Sequence, residues 1–561
     1  MARCPRLRSR RHCTIRCWRG SIAWHQCGLW RRPGAAIGHE FSYGLLRVVS
    51  RLPENELQAA LTRLVASELV FQHGTPPDAV YSFKHALVQD AAHASLLRNV
   101  RAQLHTHIAG AFETHFPELI DSQPELLARH YSEAGLVEKS VEYWRKAGHR
   151  SATRSAMAEA AAQLQKGLDQ LALLTDGPDR QRQELEFRSA LGGALINSRG
   201  VTTEAGDAFT RARELWEELG SPSEFLHVPY GQSRYYAHRG ELVLAQRLAE
   251  DLLRVSRQRN DAAGLVLGHF SCGRNAMFAG RFALSRSHLE AVLALYNPIS
   301  HRALVHQAAI HPDISARAYS GIVLFCLGFP GQALAQSRAA IAEARELAYL
   351  PSLATSLTLG CELLSLIGDT TALREQAAEL TAVTNEQGSS ARRNHETVFR
   401  AWLEVGNSDP TKGNSLLRSA LAGRSGEVWT PHYMALLARA CETVGDIEEP
   451  LTLLDDALQI VARTGERWFA AELNRRKGEL LLRRGCAEAA EKLYREALRI
   501  AEGQAAKLWE LRAAVSLARL RRDQGRLAEA RDLLVRTHGW FTEGFDTPDL
   551  KQAKVLLDQV A

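Results

Sequence analysis

Ionisable side chains recur at fixed offsets from three glycines, Gly445, Gly485 and Gly525, which lie forty residues apart. Thirteen, ten, six, three and two residues ahead of these glycines stand His432, Arg439, Glu442, Glu472, Arg475, Glu479, Arg483, Arg512, Arg519, Arg522 and Asp523. On a helix such offsets gather on one side. Six arginines there meet four acids and one histidine. A guanidinium fork matches a carboxylate through two parallel hydrogen bonds. The chemistry on offer is therefore recognition of an acidic peptide or of another protein's C-terminus, with mutual arginine–glutamate pairing as the bland alternative. Arg439, Arg475, Glu479, Arg483, Arg512, Arg519 and Arg522 are the expected partner-binding residues.

Bond-making chemistry finds less. No G-x-x-x-x-G-K-[ST] is present, so no glycine loop cradles phosphates, and neither HExxH nor G-x-S-x-G occurs. His105 and His107 stand two apart and diverge on a helix, so with His115 they make a poor metal site. His301, His306 and His311 drift around theirs. Asp446, Glu448, Glu449, Asp455 and Asp456 are helix-end charges. No nucleophile–base pair emerges, and the expectation is a non-enzymatic protein without cofactor or metal.

Side chains that repeat need a scaffold that repeats. Five residues after the three glycines come Pro450, Ala490 and Ala530; eight after, Leu453, Leu493 and Leu533; twelve after, Ala457, Ala497 and Thr537. One unit is used repeatedly. Glycine closes a first helix, and small residues open a second where the two approach closely. The register extends backwards through Gly368, Gly328, Gly280, Gly240 and Gly200, with Gly406 two residues early, Gly135 marking a first unit and Ser155 holding an equivalent turn. Ten or eleven helix pairs follow from this count. Tyr296–Asp313, with Pro298 and Pro312, is an insertion that reads as a loop or a lengthened helix end. Thr547 reads as the N-cap, and Pro548 as the first residue, of a closing helix. Stacked pairs make one elongated domain, 131–546, with 547–561 as its cap.

Residues 34–130 differ. Ile37–Val49 reads as one short apolar helix, and a second begins at Leu52–Glu56 with Leu57, Leu61, Leu64 and Val65 on its apolar face. Leu69–Gln72 and Val80–Phe83 read as strands around a turn at Gly74–Asp78, and a helix follows from His85 to Leu97. Two helices and a β-wing make a small winged-helix-like module. Its second helix sets Glu54, Glu56 and Glu68 against Arg63, which is poor chemistry for a phosphate backbone, so no nucleic acid is expected.

The net charge of +6 is local in origin. Residues 1–33 carry nine arginines and no acid, which leaves 60 basic against 63 acidic residues in the rest. Four of nine cysteines also lie there, and the others, Cys272, Cys326, Cys361, Cys441 and Cys486, are scattered singly. That usage suits reduced thiols in a cytoplasm. No apolar run looks long enough to span a bilayer, so no membrane partner is expected. The head shows no helical or strand periodicity and is expected to be disordered. A permissible set of codons for Arg11–Gly34, read in a shifted frame, spells a peptide of helical apolar spacing that leads into Ala35-Ala36-Ile37-Gly38. The head thus reads as out-of-frame text, and the codons of the gene test this.

Several segments carry a resemblance. Gly38-His39-Glu40-Phe41-Ser42-Tyr43, Phe83-Lys84-His85-Ala86-Leu87-Val88-Gln89-Asp90, Pro124-Glu125-Leu126-Leu127-Ala128-Arg129-His130-Tyr131, Glu142-Tyr143-Trp144-Arg145-Lys146-Ala147-Gly148 and Phe541–Leu550 resemble the winged-helix and tetratricopeptide part of bacterial STAND-type ATPases linked to class III adenylate/guanylate cyclases. Lys477, Gly478, Leu481, Gly485, Ala490, Tyr494 and Ala497 sit at tetratricopeptide signature spacing, with helices lengthened beyond the usual unit of about 34 residues. The resemblance implies an all-α, tetratricopeptide-like solenoid superhelix whose concave wall holds a protein or peptide. It also implies that His85 is the residue to touch a bound nucleotide's phosphate. The chain departs from that family in lacking the phosphate loop and a preceding cyclase domain. Alternative readings are a fragment of a complete cyclase–ATPase, or of a transcriptional regulator with a similar tail.

Overall fold

A chain that buries only one stripe per helix must find its core between helices, and the computed structural model shows how it does so. The structure describes residues 31–560, apart from 95, 302–303, 306–307, 309, 388–389, 408 and 423–426. The expected head lies outside the described residues up to residue 30; its last residues already belong to a helix, α1 (Arg31–Ile37). The chain divides into two compact units, one of 1–149 with 163–180, the other of 150–162 with 181–561.

In the first unit, the single helix expected over Ile37–Val49 is broken. Glu40–Ser42 is a strand, β1, and α2 (Tyr43–Ser50) starts only after it. The cause is twofold: β1 pairs with a later strand, and the Ser42 hydroxyl caps α2 by accepting from the Leu45 amide. Then come α3 (Glu54–Ala66), β2 (Val70–His73), β3 (Val80–Phe83), α4 (Ala86–Ala94) and α5 (Arg98–His115). The three strands form an antiparallel sheet in the order β1-β3-β2, with Phe41 opposite Tyr81 and Val70 opposite Phe83. The helix expected from His85 to Leu97 ends sooner, because Leu97 is extended at the start of α5. α6 (Pro117–Ser122) and α7 (Pro124–Ala134) follow. Phe41, Leu46, Leu57, Tyr81, Phe112 and Tyr131 form the core. α8 (Val137–Thr153) and α9 (Met157–Leu171) come next, with Ser155 between them at φ +63°.

The second unit is built of helix pairs. They are α10 (Pro178–Arg199) with α11 (Thr203–Glu218), α12 (His227–His238) with α13 (Leu242–Arg259), α14 (Ala262–Phe278) with α15 (Phe282–Leu295), and α16 (Pro312–Leu327) with α17 (Pro330–Glu346). Then come α18 (Leu350–Ile367) with α19 (Thr370–Gln387), α20 (Ser390–Asn407) with α21 (Pro410–Leu421), and α22 (Thr430–Thr443) with α23 (Glu448–Thr464). The last are α24 (Ala470–Arg483) with α25 (Ala487–Gly503), α26 (Lys507–Asp523) with α27 (Leu527–His538), and the single α28 (Pro548–Gln559). Gly200, Gly240, Gly280, Gly328, Gly368, Gly445, Gly485 and Gly525 all occupy the left-handed turn between paired helices, at φ from +72° to +96°. Gly406 does not: it stays inside α20, and the break comes after Asn407, closer to the forty-residue register. Thr547 is the N-cap of α28, but its hydroxyl donates to the Gly544 carbonyl at 2.6 Å instead of capping.

One expectation fails on composition. α18 is long and apolar enough to cross a bilayer, although most of it is buried inside this unit. An apolar helix packed on all sides reads alike in both settings.

Successive windings of the repeat meet. The Arg467 and Trp468 amides donate to the Phe278 carbonyl at 2.8 and 3.1 Å, and the Val428 amide to that of His238 at 3.2 Å. Glu543 accepts from the Gly331 and Gln332 amides at 2.9 and 3.1 Å. Aromatic rings fill the seam: Phe278 on Trp429, Trp429 on Trp468, Phe469 on Trp509, Phe325 on Trp509 and Phe329 on Trp540, with centroids 5.1 to 5.8 Å apart. Such T-shaped pairs contribute about 0.5–1.5 kcal/mol each beyond burial.

Candidate functional site on the inner wall of the repeats

The first helices of the last repeats, α22, α24 and α26, turn one face to a cleft of about 300 Å³ that α28 and the end of α18 close. Of the expected residues, Arg439, Arg475, Glu479, Arg512 and Arg519 line it, as do His432 and Glu472. Arg483 and Arg522 do not. Arg483 is exposed and pairs with Glu442 at 2.9 Å, while Arg522 bonds Asp523 at 3.0 Å and Gln559 at 2.7 Å.

Ion pairing dominates the cleft. Arg475 grips Glu472 with both prongs, Nε to Oε1 at 2.6 Å and Nη2 to Oε2 at 3.0 Å, and Nη1 reaches Glu479. Arg512 grips Asp549 the same way, both bonds at 2.8 Å, and donates to the Leu366 carbonyl at 2.6 Å. Its guanidinium also lies over Trp509. Arg476 holds the other oxygen of Glu479 at 3.2 Å. Burial alone would raise the Glu472 carboxyl, but Arg475 and Arg512 outweigh it and hold it at about 2. Burial likewise would lower Arg475, and Glu472 with Glu479 raises it instead. These forks are occupied from within the molecule.

Two arginines of the cleft are not so held. Arg439 lies over the Trp402 ring at 4.8 Å, and no carboxylate of a described residue comes within 4 Å of it. Burial, then its neighbour Arg476, pulls its guanidinium down to about 10. Arg519 is exposed, and its bond is to neutral Gln552 at 3.3 Å. Arg439, Arg475, Arg476, Arg512 and Arg519 stand against Glu472, Glu479 and Asp549, so the lining carries an excess of positive charge. Arg476, Asp549 and Gln552 went unforeseen. Asp549 and Gln552 sit on the closing helix, outside the glycine-based count. His432 Nδ1 lies 3.0 Å from Glu362, both buried, without hydrogen-bond alignment.

His85 stands exposed between β3 and α4. His105 and His107 do diverge: His107 faces Arg51 at 3.4 Å. His105 instead joins a chain, with Nε2 3.1 Å from His93 and Nδ1 2.8 Å from His130. His93, His105 and Glu133 offer ligand atoms within 4.8 Å of one another. Burial first, then His93, lowers the His105 imidazole to about 4. Arg101 lies 3.6 Å from Glu133, and with Arg129 it sets positive charge against a cation there. The geometry suits neutral imidazoles passing N–H bonds along a row.

Comparison with known proteins adds three findings. A tetratricopeptide repeat family model matches residues 469–538, which are α24 to α27. An uncharacterized protein of Rhizobium meliloti (strain 1021) is 24% identical over 510 residues, covering 87% of this chain and 48% of its own. This chain thus spans about half the length of that curated relative. Among solved structures, a Rap protein complexed with competence and sporulation factor has a TM-score of 0.47 at 13% identity, over 65% of this chain and 99% of its own. A STAND protein with a tetratricopeptide repeat sensor from Pyrococcus horikoshii has a TM-score of 0.41 at 11% identity, over 80% and 65%. The fold is an all-helical, tetratricopeptide-like repeat preceded by a small sheet-containing module.

Proposed function

We propose that the repeat unit is an interaction scaffold that holds an acidic protein segment along α22, α24, α26 and α28. We propose further that the chain is the sensor tail of a STAND-type signalling ATPase linked to a class III cyclase, working in the cytoplasm. The observation that carries the binding reading is the pair Arg439 and Arg519, cations of the cleft to which no described carboxylate is bonded. Solenoids of this kind use their inner faces for binding. The tail reading rests on the family segments quoted above. In that reading α1, β1, α2, α3, β2 and β3 are a winged helix, and His85 meets a phosphate of nucleotide held by the motor. Four buried free thiols, Cys272, Cys326, Cys361 and Cys441, support a reducing compartment.

The test is a binding titration with a labelled peptide rich in Asp and Glu, against the whole chain and an Arg439→Glu, Arg519→Glu variant. The expected result is saturable, salt-sensitive binding that weakens at least about tenfold in the variant. Equal affinity for both proteins, or none for the unaltered chain, overturns the acidic-ligand reading.

A further inference from the structure

A second cavity, of about 160 Å³, lies on the inner wall of the earlier repeats, between α10, α12, α14, α16 and α18. Two buried arginines line it, Arg234 on α12 and Arg274 on α14, with the exposed Arg199 at the end of α10 at its rim. Each stands six residues ahead of its turn glycine, Gly240 or Gly280, the place Arg439 and Arg519 hold in theirs. They are far more buried, at 8% and 2% exposure. Neither has a described carboxylate within 4 Å; the partners of both are amides. Arg234 donates to Asn197 at 2.8 Å, and Arg274 directs Nε and Nη2 to the single oxygen of Asn275 at 3.2 Å each. Burial, and Arg234 itself, press the Arg274 guanidinium downward.

A buried cation is ordinarily paired, because leaving water costs far more than neutral hydrogen bonds return. Two like charges in one small cavity compound that cost. The same cavity holds two further polar atoms that are buried and have no hydrogen-bond partner, the Tyr230 hydroxyl and the Ser315 hydroxyl. Guanidinium forks and hydroxyl donors are the groups that bind oxyanions. The walls around them are aromatic, from Phe270, Tyr319 and Trp429. One carboxylate, Glu427, belongs to the lining and bars a ligand whose charge would fall beside it.

We propose that this cavity is a binding site for a small oxyanion, a phosphoryl or carboxylate group, whose oxygens bridge Arg234 and Arg274 and accept from Tyr230 and Ser315. Two guanidiniums match a dianion. The volume admits the charged head of a small metabolite and excludes a folded partner. The site is separate from the cleft at Arg439 and Arg519, and neither reading depends on the other.

The test uses the full chain at constant ionic strength, with chloride exchanged for inorganic phosphate in one arm and for succinate in another. Binding is followed by calorimetry and by thermal unfolding. The expected result is a saturable rise in Tm with one of the two probes at millimolar concentration, with one site per chain. The preferred probe tells a phosphoryl ligand from a dicarboxylate. Arg274→Met and Arg234→Gln should each weaken that binding at least about tenfold, and circular dichroism checks that both variants fold. The same Tm in chloride, phosphate and succinate overturns the proposal. So does undiminished binding in Arg274→Met. Arg439→Glu, Arg519→Glu should bind the probe as the unaltered chain does, so loss in that variant alone also overturns it.

Discussion

The late repeats and the early repeats bury the same side chain on the same inner wall, and treat it in opposite ways. Around α24 and α26 the buried guanidiniums are met by carboxylates: Arg475 by Glu472 and Glu479, Arg512 by Asp549. Around α12 and α14 they are met by amides: Arg234 by Asn197, Arg274 by Asn275. The first arrangement is paired from within, and what it leaves for a partner is its edge, Arg439 and Arg519. The second brings no described carboxylate within 4 Å of either guanidinium, and the proposed oxyanion would supply the missing charge. A buried arginine therefore does not mark a binding site by itself; the absence of its acid does.

That contrast predicts stabilities of opposite sign, which is its sharpest test. Glu472→Gln takes from the buried Arg475 its two-pronged partner, leaving it Glu479 alone, and should destabilise the repeat unit by about 3–5 kcal/mol, read from the urea midpoint. In buffer free of polyvalent anions, Arg274→Met should be neutral or stabilising by up to about 1–4 kcal/mol. If both substitutions destabilise equally, the two stretches of wall are alike and the comparison is broken.

Acid and base should act on separate groups. Glu472 is held at about 2, so its contribution is fully present above the ordinary carboxylate value of 4.5 and is lost as pH falls toward 2. Glu466, buried beside Trp429 and Trp468, has the opposite sign. Burial raises it from 4.5 to about 8, so its contribution is complete below 4.5 and is lost as pH rises through 8. Glu466→Gln, which stays neutral, should remove an alkaline loss of about 4 kcal/mol, measured as Tm from pH 5 to 9. An unchanged alkaline limb would mean that Glu466 is charged in the fold.

Anion occupancy should then narrow the contrast. At about one hundred times Kd, an oxyanion should stabilise the unaltered chain by about 2.7 kcal/mol and Arg274→Met by much less, reversing their order in denaturation. The smallest effect belongs to the pair Arg483–Glu442, whose arginine is exposed, where Arg483→Ala should cost about 1 kcal/mol. A larger loss would show that this pair, outside the cleft, carries structure after all.

Much of the scaffold was legible because its signal is local. A forty-residue period and a glycine at each left-handed turn are properties of neighbouring residues, and eight turns fall where those glycines stand. Gly406 misled because a glycine is also tolerated inside a helix. The seam between windings was missed, although a trace of it stands in Trp429, Trp468 and Trp509, spaced at nearly the same period. The break at β1 was missed because Glu40–Ser42 becomes a strand only by pairing with β3.

Residue order alone determined that paired helices repeat, where they bend and which faces carry arginine, since each depends on spacings of a turn or two. Only the packed chain decided which of those arginines are spoken for. Asp549 is 37 residues from Arg512, Leu366 is 146 away, and Asn197 is 37 from Arg234. Charge is neutralised across space, by whichever group the windings bring within reach.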